Sequence, residues 1–421
     1  MDRSAELYER SSKVTPGGVS SPVRAFKPNP LFMSEAHGCR IKDVDGKEYI
    51  DLCMSYGPMI TGYGCPLVIK AAEEQIKLGT VYGAPSEPEL RLLERIVKEV
   101  PSADMVRLSC SGTEATMHAI RVARGFTGRD DVIKMNGGFH GAHDAALVAA
   151  GSGSAGGVPS SKGVLSDVAK HTFTAEYNDP QSMSDILDKH DIACVIMEPI
   201  MGNVGVVTPA KGYLEEVRKI TKEHGTILIF DEVITGFRAS SGGAQLRYGV
   251  TPDITTMGKI IGGGFAAGAF MGRRDIMENV APQGGIYAAG TFAGNPVSAA
   301  AGFAQIDLMC RNDNYGKLEK RTDRLASLIR DCMADSGVKG CVNNVASMFS
   351  IFFGIDQATN GTEAMKADRK MFDVLFRYML EHGVYLPPSA LEVDFMSLAH
   401  SDEDCGVLAE RFKEFFGSVK Q

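Results

Sequence analysis

TILIFDEV at residues 226–233 and PDITTMGKIIGGG at residues 252–264 are the two stretches that decide the fold class. Each contains a short apolar run that leads into a charged residue, Asp231 in the first stretch and Lys259 in the second. Short apolar runs that alternate with amphipathic helices are typical of buried parallel strands, and ligands bind beyond the carboxyl ends of such strands. The sequence therefore predicts that Asp231 and Lys259 lie at the ligand-binding edge of one sheet.

The same alternation of strands and helices extends over most of the chain. Further apolar runs occupy Met105–Leu108, Val132–Met135, Ala193–Met197 and Ala267–Met271. Amphipathic helices are predicted over residues 112–124, 180–190 and 211–224. This pattern predicts an α/β fold with a mainly parallel central sheet flanked by helices, which we assign to a large domain at residues 61–310.

Two smaller segments flank the predicted large domain. Residues 1–60 are rich in predicted strands and contain a hairpin turn signal at Asp45-Gly46. Residues 311–421 contain a long helix, strands within 341–353, a helix over 364–382 and a closing helix. We expect residues 311–421 to form an α+β domain and residues 1–60 to be part of the same small domain.

Composition and charge exclude several functional classes. The 421-residue chain has a net charge of −8, whereas a general nucleic-acid binder needs a basic face. The apolar stretches end well before the roughly 18 residues of a membrane span, and we recognise no signal-peptide pattern. Nine scattered cysteines without a CxxC pair indicate a reducing compartment, so we expect a cytoplasmic protein. His140, His143 and Asp144 have no further cluster beside them, so we expect no metal.

A turn of small residues follows the run Met105–Leu108 and opens a helix. Ser111, Gly112 and Thr113 lie in this turn, where free backbone N–H groups and the helix dipole favour a phosphate. Plain capping of the helix by Ser111 is the alternative explanation. The sequence contains neither GxGxxG nor GxxxxGK[ST], so a dinucleotide or P-loop site lacks its usual motif.

Three other side chains have both a chemical and a purely structural explanation. Asp231 could pair with a protonated pyridine nitrogen or end a solvated turn, and Lys259 could form a Schiff base or extend along apolar surface to water. Phe139, in a glycine-rich turn, could stack on a heteroaromatic ring or belong to the core. Thr291 could donate a hydrogen bond to a phosphate. The phosphate turn, Phe139, Asp231 and Lys259 follow one another at the carboxyl ends of strands in one predicted sheet, and together they favour the chemical explanation.

One glycine- and serine-rich segment interrupts the pattern. Residues 151–163 have the sequence GSGSAGGVPSSKG, which contains no large apolar side chain. The segment is either a surface loop or a mobile lid over a cleft.

The chain resembles, nearly end to end, the class III aminotransferases of fold type I, which use pyridoxal 5′-phosphate (PLP) and its amine form, PMP. The shared motifs are SGTEA (111–115), DEVITGFR (231–238) and GKIIGGG (258–264). Two motifs are more specific and resemble the glutamate-1-semialdehyde 2,1-aminomutase family: GGVSSPVRAF (17–26) and FMSLAHSDED (395–404). The resemblance implies intramolecular amino transfer on glutamate-1-semialdehyde, a small molecule, to give 5-aminolevulinate for tetrapyrrole biosynthesis.

The resemblance also implies a cofactor role for each matching residue. Lys259 forms the Schiff base with PLP, and Asp231 pairs with the pyridine nitrogen. Phe139 and Val233 pack on opposite faces of the ring. A homodimer with a shared active site is implied, because Thr291 reaches the phosphate from the partner subunit. The other implied cofactor contacts are Ser111, Gly112, Thr113, His140 and Asn203.

The implied substrate side distinguishes two reactions. Ser21, Arg24, Tyr56 and Glu392 line it, and Arg24 is the natural cation for the substrate carboxylate. Class III aminotransferases that use a dicarboxylate usually have an additional arginine in the C-terminal domain, but residues 387–400 contain Glu392 and no arginine. This difference favours the aminomutase over the alternative, an ω-aminotransferase acting on another amine or amino acid.

Four positions depart from the usual family pattern. The chain has Tyr56, Cys110, Asn136 and Phe139, where the family usually has Trp, Asn, Glu and Tyr. Aromatic character is preserved where stacking matters, while hydrogen-bonding groups are removed. The departures bear on the identity of the substrate more than on the cofactor.

Overall fold

The computed structural model describes residues 2–148 and 161–419. Most of the predicted surface loop or lid, residues 151–163, lies outside the described residues. Within the described ranges, no helix is long and apolar enough to cross a membrane. The same ranges contain no group of three or more His, Cys, Asp or Glu side chains placed to hold a metal ion.

The described residues form fourteen strands. Three come first: β1 (Met33–His37), β2 (Arg40–Asp43) and β3 (Glu48–Asp51). Seven form the central sheet: β4 (Met105–Ser109), β5 (Asp131–Met135), β6 (Thr172–Ala175), β7 (Ile192–Met197), β8 (Ile227–Asp231), β9 (Ile254–Gly258) and β10 (Gly268–Gly272). Four follow: β11 (Gly340–Val345), β12 (Met348–Phe353), β13 (Val384–Tyr385) and β14 (Asp394–Phe395).

The same residues form fourteen α-helices. Those up to the end of β9 are α1 (Arg3–Ser11), α2 (Pro66–Leu78), α3 (Glu87–Glu99), α4 (Gly112–Thr127), α5 (Ser166–Ala169), α6 (Pro180–Leu187), α7 (Tyr213–Glu223) and α8 (Gly243–Tyr248). The others are α9 (Arg274–Met277), α10 (Pro296–Met309), α11 (Asn314–Ser336), α12 (Gly361–Ala364), α13 (Arg369–Glu381) and α14 (Asp402–Ser418). Short 3₁₀ turns occupy Pro16–Gly18, Pro22–Arg24, Met54–Tyr56 and Lys259–Gly262.

The central sheet is mainly parallel, which confirms the predicted fold class. Its strand order is β4-β10-β9-β8-β7-β5-β6. Strands β5 to β9 pair in parallel, and β10 is antiparallel to both β4 and β9. The carboxyl ends of β4 to β9 therefore lie at one edge of the sheet, and that edge is where ligands bind in folds of this kind.

The edge strand β6 is missing from the sequence prediction. Its sequence is TFTA, so two threonines interrupt any apolar run. Because β6 pairs with β5 alone, only part of its surface is buried and a continuous apolar run is not required.

One of the two smaller sheets combines strands from both ends of the chain. The N-terminal strands form a sheet in the order β1-β2-β3-β13, and the C-terminal strand β13 pairs with β3 in parallel. A second sheet has the order β11-β12-β14. The predicted strand region 341–353 is thus an antiparallel hairpin, β11 and β12, which turns at Ala346 with a φ of +53°.

The strands that lead into the site are buried along their whole length. Every residue of β7, β8 and β9 is buried, as expected for central strands that are covered on both faces. Helix α4 covers β7, β9 and β10 with small side chains such as Ala115, Ala119 and Ala123. Residues that follow these strands are therefore held on a rigid support.

Candidate active site

A cavity of about 250 Å³ opens at the carboxyl-end edge of the central sheet. Its walls come from the segments that follow β4, β5, β7, β8 and β9. The lining residues are Ser111, Gly112, Thr113, Thr116, Phe139, His140, Gly141, Glu198, Asn203, Asp231, Val233, Ile234 and Lys259. Nine of the ten residues predicted to contact a cofactor are among them; Thr291 is not.

The N-terminus of α4 forms one end of the cavity. Ser111 is the helix N-cap, and its Oγ accepts a hydrogen bond from the Glu114 N–H at 3.1 Å. The Glu114 carboxylate accepts in return from the Cys110 N–H at 2.7 Å. Capping and an anion site are therefore compatible here, because the N–H groups of Gly112 and Thr113 still belong to the first turn, where no intrahelical acceptor exists.

Two glycines allow neighbouring residues to pack closely against the backbone at this end of the cavity. A Cβ on Gly112 would lie 2.8 Å from Val233 Cγ1. A Cβ on Gly141 would lie 2.7 Å from Thr113 Cα, and Gly141 has a φ of +93°. Both positions therefore require glycine, which keeps Thr113 and Val233 at the cavity wall.

Asp231 is the last residue of β8 and is buried. Its Oδ1 accepts hydrogen bonds from the Val233 N–H and from Thr256 Oγ1, each at 3.1 Å. Its Oδ2 lies 2.7 Å from His140 Nδ1, and because a carboxylate only accepts, His140 donates from Nδ1. A carboxylate can accept about four hydrogen bonds, so Asp231 keeps acceptor capacity for a further donor in the cavity.

His140 has one ring nitrogen with no partner. Its Nε2 is buried and forms no hydrogen bond to the part of the chain that the structure describes. Buried polar atoms of this kind are uncommon and need an explanation. A ligand group in the cavity would provide one.

Lys259 follows β9 in a left-handed backbone conformation. Its φ is +48°, which is uncommon outside glycine and typical of functional sites. Its Nζ donates a hydrogen bond to the Tyr56 carbonyl at 2.8 Å. Burial lowers the pKa of this amine, and the nearby Glu392 carboxylate partly opposes that shift. A larger fraction of Lys259 is therefore neutral and nucleophilic than of an ordinary lysine.

Glu198 is a cavity residue that the sequence prediction missed. It lies just after β7, is buried, and accepts hydrogen bonds from the Phe139 N–H at 3.1 Å and the Gly202 N–H at 2.7 Å. Burial raises the pKa of its carboxyl. The motif EPIMGN (198–203) was the available signal, because an acidic residue directly after a buried strand needs a partner. Thr116, Gly141 and Ile234 were also missed.

The predicted substrate residues lie beside the cavity and do not line it. Tyr56 donates from its hydroxyl to the Val23 carbonyl at 2.7 Å, next to Arg24 in the turn Pro22–Arg24. The Arg24 guanidinium partly opposes the rise in the Tyr56 pKa that burial causes, so the two side chains are close. Glu392 acts on the pKa values of both Tyr56 and Lys259. Tyr56 and Glu392 are thus near Lys259, and Arg24 is near Tyr56. Ser21 directly precedes the turn that contains Arg24.

The sequence profile described as aminotransferase class-III matches residues 23–416 of the chain. The chain belongs to the class III aminotransferase family. One relative of this chain is a protein from Methanothrix thermoacetophila that is named glutamate-1-semialdehyde 2,1-aminomutase. Its sequence is 52% identical to that of this chain over 416 residues. The alignment covers 99% of this chain and 96% of the relative.

Solved structures of two named functions share the fold. An omega-transaminase from Sphaerobacter thermophilus superposes with a TM-score of 0.93 and 29% identity, covering 100% of this chain and 98% of the other. A glutamate-1-semialdehyde aminomutase variant from Pseudomonas aeruginosa PAO1, in complex with PMP, gives a TM-score of 0.89 and 25% identity, covering 99% and 94%. The fold alone therefore does not separate a mutase from a transaminase.

The opposing effects of burial and Glu392 on Lys259 predict a change in its titration. In the cofactor-free wild-type protein, the pH profile of Lys259 acetylation, followed by mass spectrometry, will have its midpoint below the ordinary lysine value of about 10.4. Glu392→Gln removes the carboxylate that raises the pKa, so the midpoint will move to still lower pH. Glu9→Gln, a change in the exposed N-terminal helix, will leave it in place. An unchanged midpoint in Glu392→Gln would contradict the electrostatic description of the site.

Proposed function

We propose that this class III aminotransferase is a glutamate-1-semialdehyde 2,1-aminomutase that uses PLP and PMP. The observation that supports this most strongly is 52% identity along almost the whole chain to a relative of that name. The omega-transaminase that superposes well is only 29% identical. Transfer of the amino group within one molecule would convert glutamate-1-semialdehyde to 5-aminolevulinate, the tetrapyrrole precursor.

The residues around the cavity fit PLP. The N–H groups of Gly112 and Thr113 and the Ser111 hydroxyl suit a phosphate. Asp231 retains acceptor capacity for a protonated pyridine nitrogen, and the Lys259 amine suits an aldehyde. Nε2 of His140, which has no hydrogen-bond partner among the described residues, is consistent with a ligand in the cavity. Phe139, Val233 and Asn203 complete the proposed contacts.

Each proposed catalytic residue has a defined task. When bound, PLP supplies an aldehyde carbon that exchanges amino groups and a cationic ring that takes up the electrons left by a lost proton. Lys259 Nζ would carry a proton between the substrate carbon and the cofactor carbon that exchanges the amino group, and its lowered pKa favours the neutral amine that accepts this proton. Asp231 keeps the ring nitrogen protonated by remaining an acceptor, and His140 and Thr256 hold the Asp231 carboxylate in place.

The charges near Lys259 favour the mutase over a transferase that uses a dicarboxylate. Arg24 is the proposed partner of the substrate's one carboxylate, together with Ser21. Tyr56 holds the turn that contains Arg24 through its bond to the Val23 carbonyl. Glu392, whose carboxylate acts on Lys259, would repel a second substrate carboxylate and attract an amine. A reaction that passes through a diamine, 4,5-diaminovalerate, suits this arrangement.

Incubation with glutamate-1-semialdehyde alone tests the proposed function. The PMP-loaded enzyme will form 5-aminolevulinate without any added amino donor, because the donor and acceptor carbons belong to one molecule. Lys259→Ala will reduce the rate about 10²- to 10⁴-fold, the contribution that proton transfer by a positioned base usually makes. Product formation only after addition of an amino donor such as alanine would indicate the ω-aminotransferase instead.

We also propose a homodimer in which each subunit completes the other's site. Thr291 is exposed and lies outside the cavity of its own chain. Tyr287 and Phe292, on either side of it in sequence, are 72% and 60% exposed, which is unusual for large aromatic side chains outside interfaces. Sedimentation will give twice the mass of the chain, and Phe292→Asp will shift it toward the monomer and weaken PLP binding. A fully active wild-type monomer would contradict the shared site.

The cytoplasm is the compartment we propose. All nine cysteines are unpaired, as is usual for proteins kept in a reducing environment. Fractionation of the source cells tests this.

A further inference from the structure

One peptide group in the cavity wall is held from both ends by buried side chains. It joins Gly138 to Phe139. Its carbonyl oxygen accepts a hydrogen bond from Lys134 Nζ at 2.7 Å, and its N–H donates to Glu198 Oε1 at 3.1 Å. Lys134 and Glu198 are only 1% and 4% exposed. Water therefore does not compete for either bond, and both are stronger than they would be at the surface.

Each of the two side chains also holds a second backbone group. Lys134 Nζ donates to the Val148 carbonyl at 2.6 Å, so it fixes both ends of the segment 138–148. Burial lowers the pKa of Lys134 to about 7, but even the neutral amine has two N–H donors for these two carbonyls. Glu198 Oε2 accepts from the Gly202 N–H at 2.7 Å, which ties the segment after β5 to the turn after β7.

The position of this peptide group sets the direction of the side chain that follows it. Phe139 lines the cavity, and the next residue, His140, donates to Asp231 at 2.7 Å. The backbone at Gly138 is itself closely surrounded. A Cβ there would lie 3.1 Å from the Met135 carbonyl oxygen and 3.2 Å from His140 Nε2. A rotation of the 138–139 peptide would therefore move Phe139 and disturb the His140–Asp231 bond together.

We propose that Lys134 and Glu198 are positioning residues that set the Phe139 ring against the cofactor through this single peptide group. The proposal rests on the PLP site described above and not on the aminomutase reaction. A purely structural role would lower stability without changing how a bound chromophore is oriented. Arg129 offers a matched comparison, because it also donates to backbone carbonyls, those of Ile192 and His224, on the side of the sheet away from the cavity.

The test uses the full-length protein stripped of cofactor and titrated with PLP. The measurements are the dissociation constant of PLP, the visible circular dichroism per bound PLP, and the melting temperature of the cofactor-free protein. Lys134→Met will bind PLP about tenfold more weakly, the effect of losing one buried hydrogen-bonding group, and will lose at least about half of the visible dichroism per bound PLP. Arg129→Met will lower the melting temperature but keep the dichroism of the wild type.

A second variant keeps the test decisive if Lys134→Met does not fold. Glu198→Gln preserves size, but its amide has one acceptor oxygen for two N–H donors, so the dichroism per bound PLP will fall here too. Unchanged affinity and dichroism in both variants, or an equal loss of dichroism in Arg129→Met, would overturn the positioning role. Failure of the wild type to bind PLP would instead overturn the cofactor assignment. The positioning role is judged by affinity and dichroism alone, so unchanged mutase activity in the two variants would not support it.

Discussion

The site depends on keeping two side chains of opposite charge largely out of water at the ends of neighbouring strands. β8 ends at Asp231, and Lys259 follows β9, which pairs with β8 in parallel. Removing either charge from water is unfavourable unless hydrogen bonds offset it. Asp231 accepts three such bonds from within the chain. Among the described residues, Lys259 donates one such bond, to the Tyr56 carbonyl, and burial lowers its pKa. The result is a carboxyl group held by hydrogen bonds and an amine with a lowered pKa in one cavity.

Backbone strain concentrates around the same amine. Met54, Ser55 and Tyr56 have φ values of +44°, +56° and +64°, and Lys259 has +48°. Each costs about 1 to 3 kcal/mol and persists only where surrounding contacts fix it. Here the buried Arg238 guanidinium donates to Gly57 O and to Ser347 Oγ and lies over the Phe395 ring. The Tyr56 carbonyl is thus held toward Lys259 at the expense of local stability, as expected for a preorganised site.

How much the sequence predicts depends on how local the signal is. The strand that ends in Asp231, the strand that precedes Lys259 and the turn at Ser111 each have a contiguous pattern, and the structure brings them together at one sheet edge. Glu198 and Lys134 were missed because their partners are backbone groups, whose positions a sequence pattern does not give. β6 was missed because an edge strand does not need an apolar run. Thr291 is exposed and does not line the cavity of its own chain, so its contact with the phosphate of a second subunit stays a prediction.

The most direct test of the account is reduction of the PLP-loaded protein with sodium borohydride, followed by peptide mapping. Borohydride reduces the carbon–nitrogen double bond between PLP and the amine that holds it to a single bond, which survives peptide mapping. The account predicts one pyridoxyl-modified residue, Lys259, together with loss of absorbance near 400 nm. Modification of a different lysine in place of Lys259, such as the buried Lys134, or no modification at all, would contradict it.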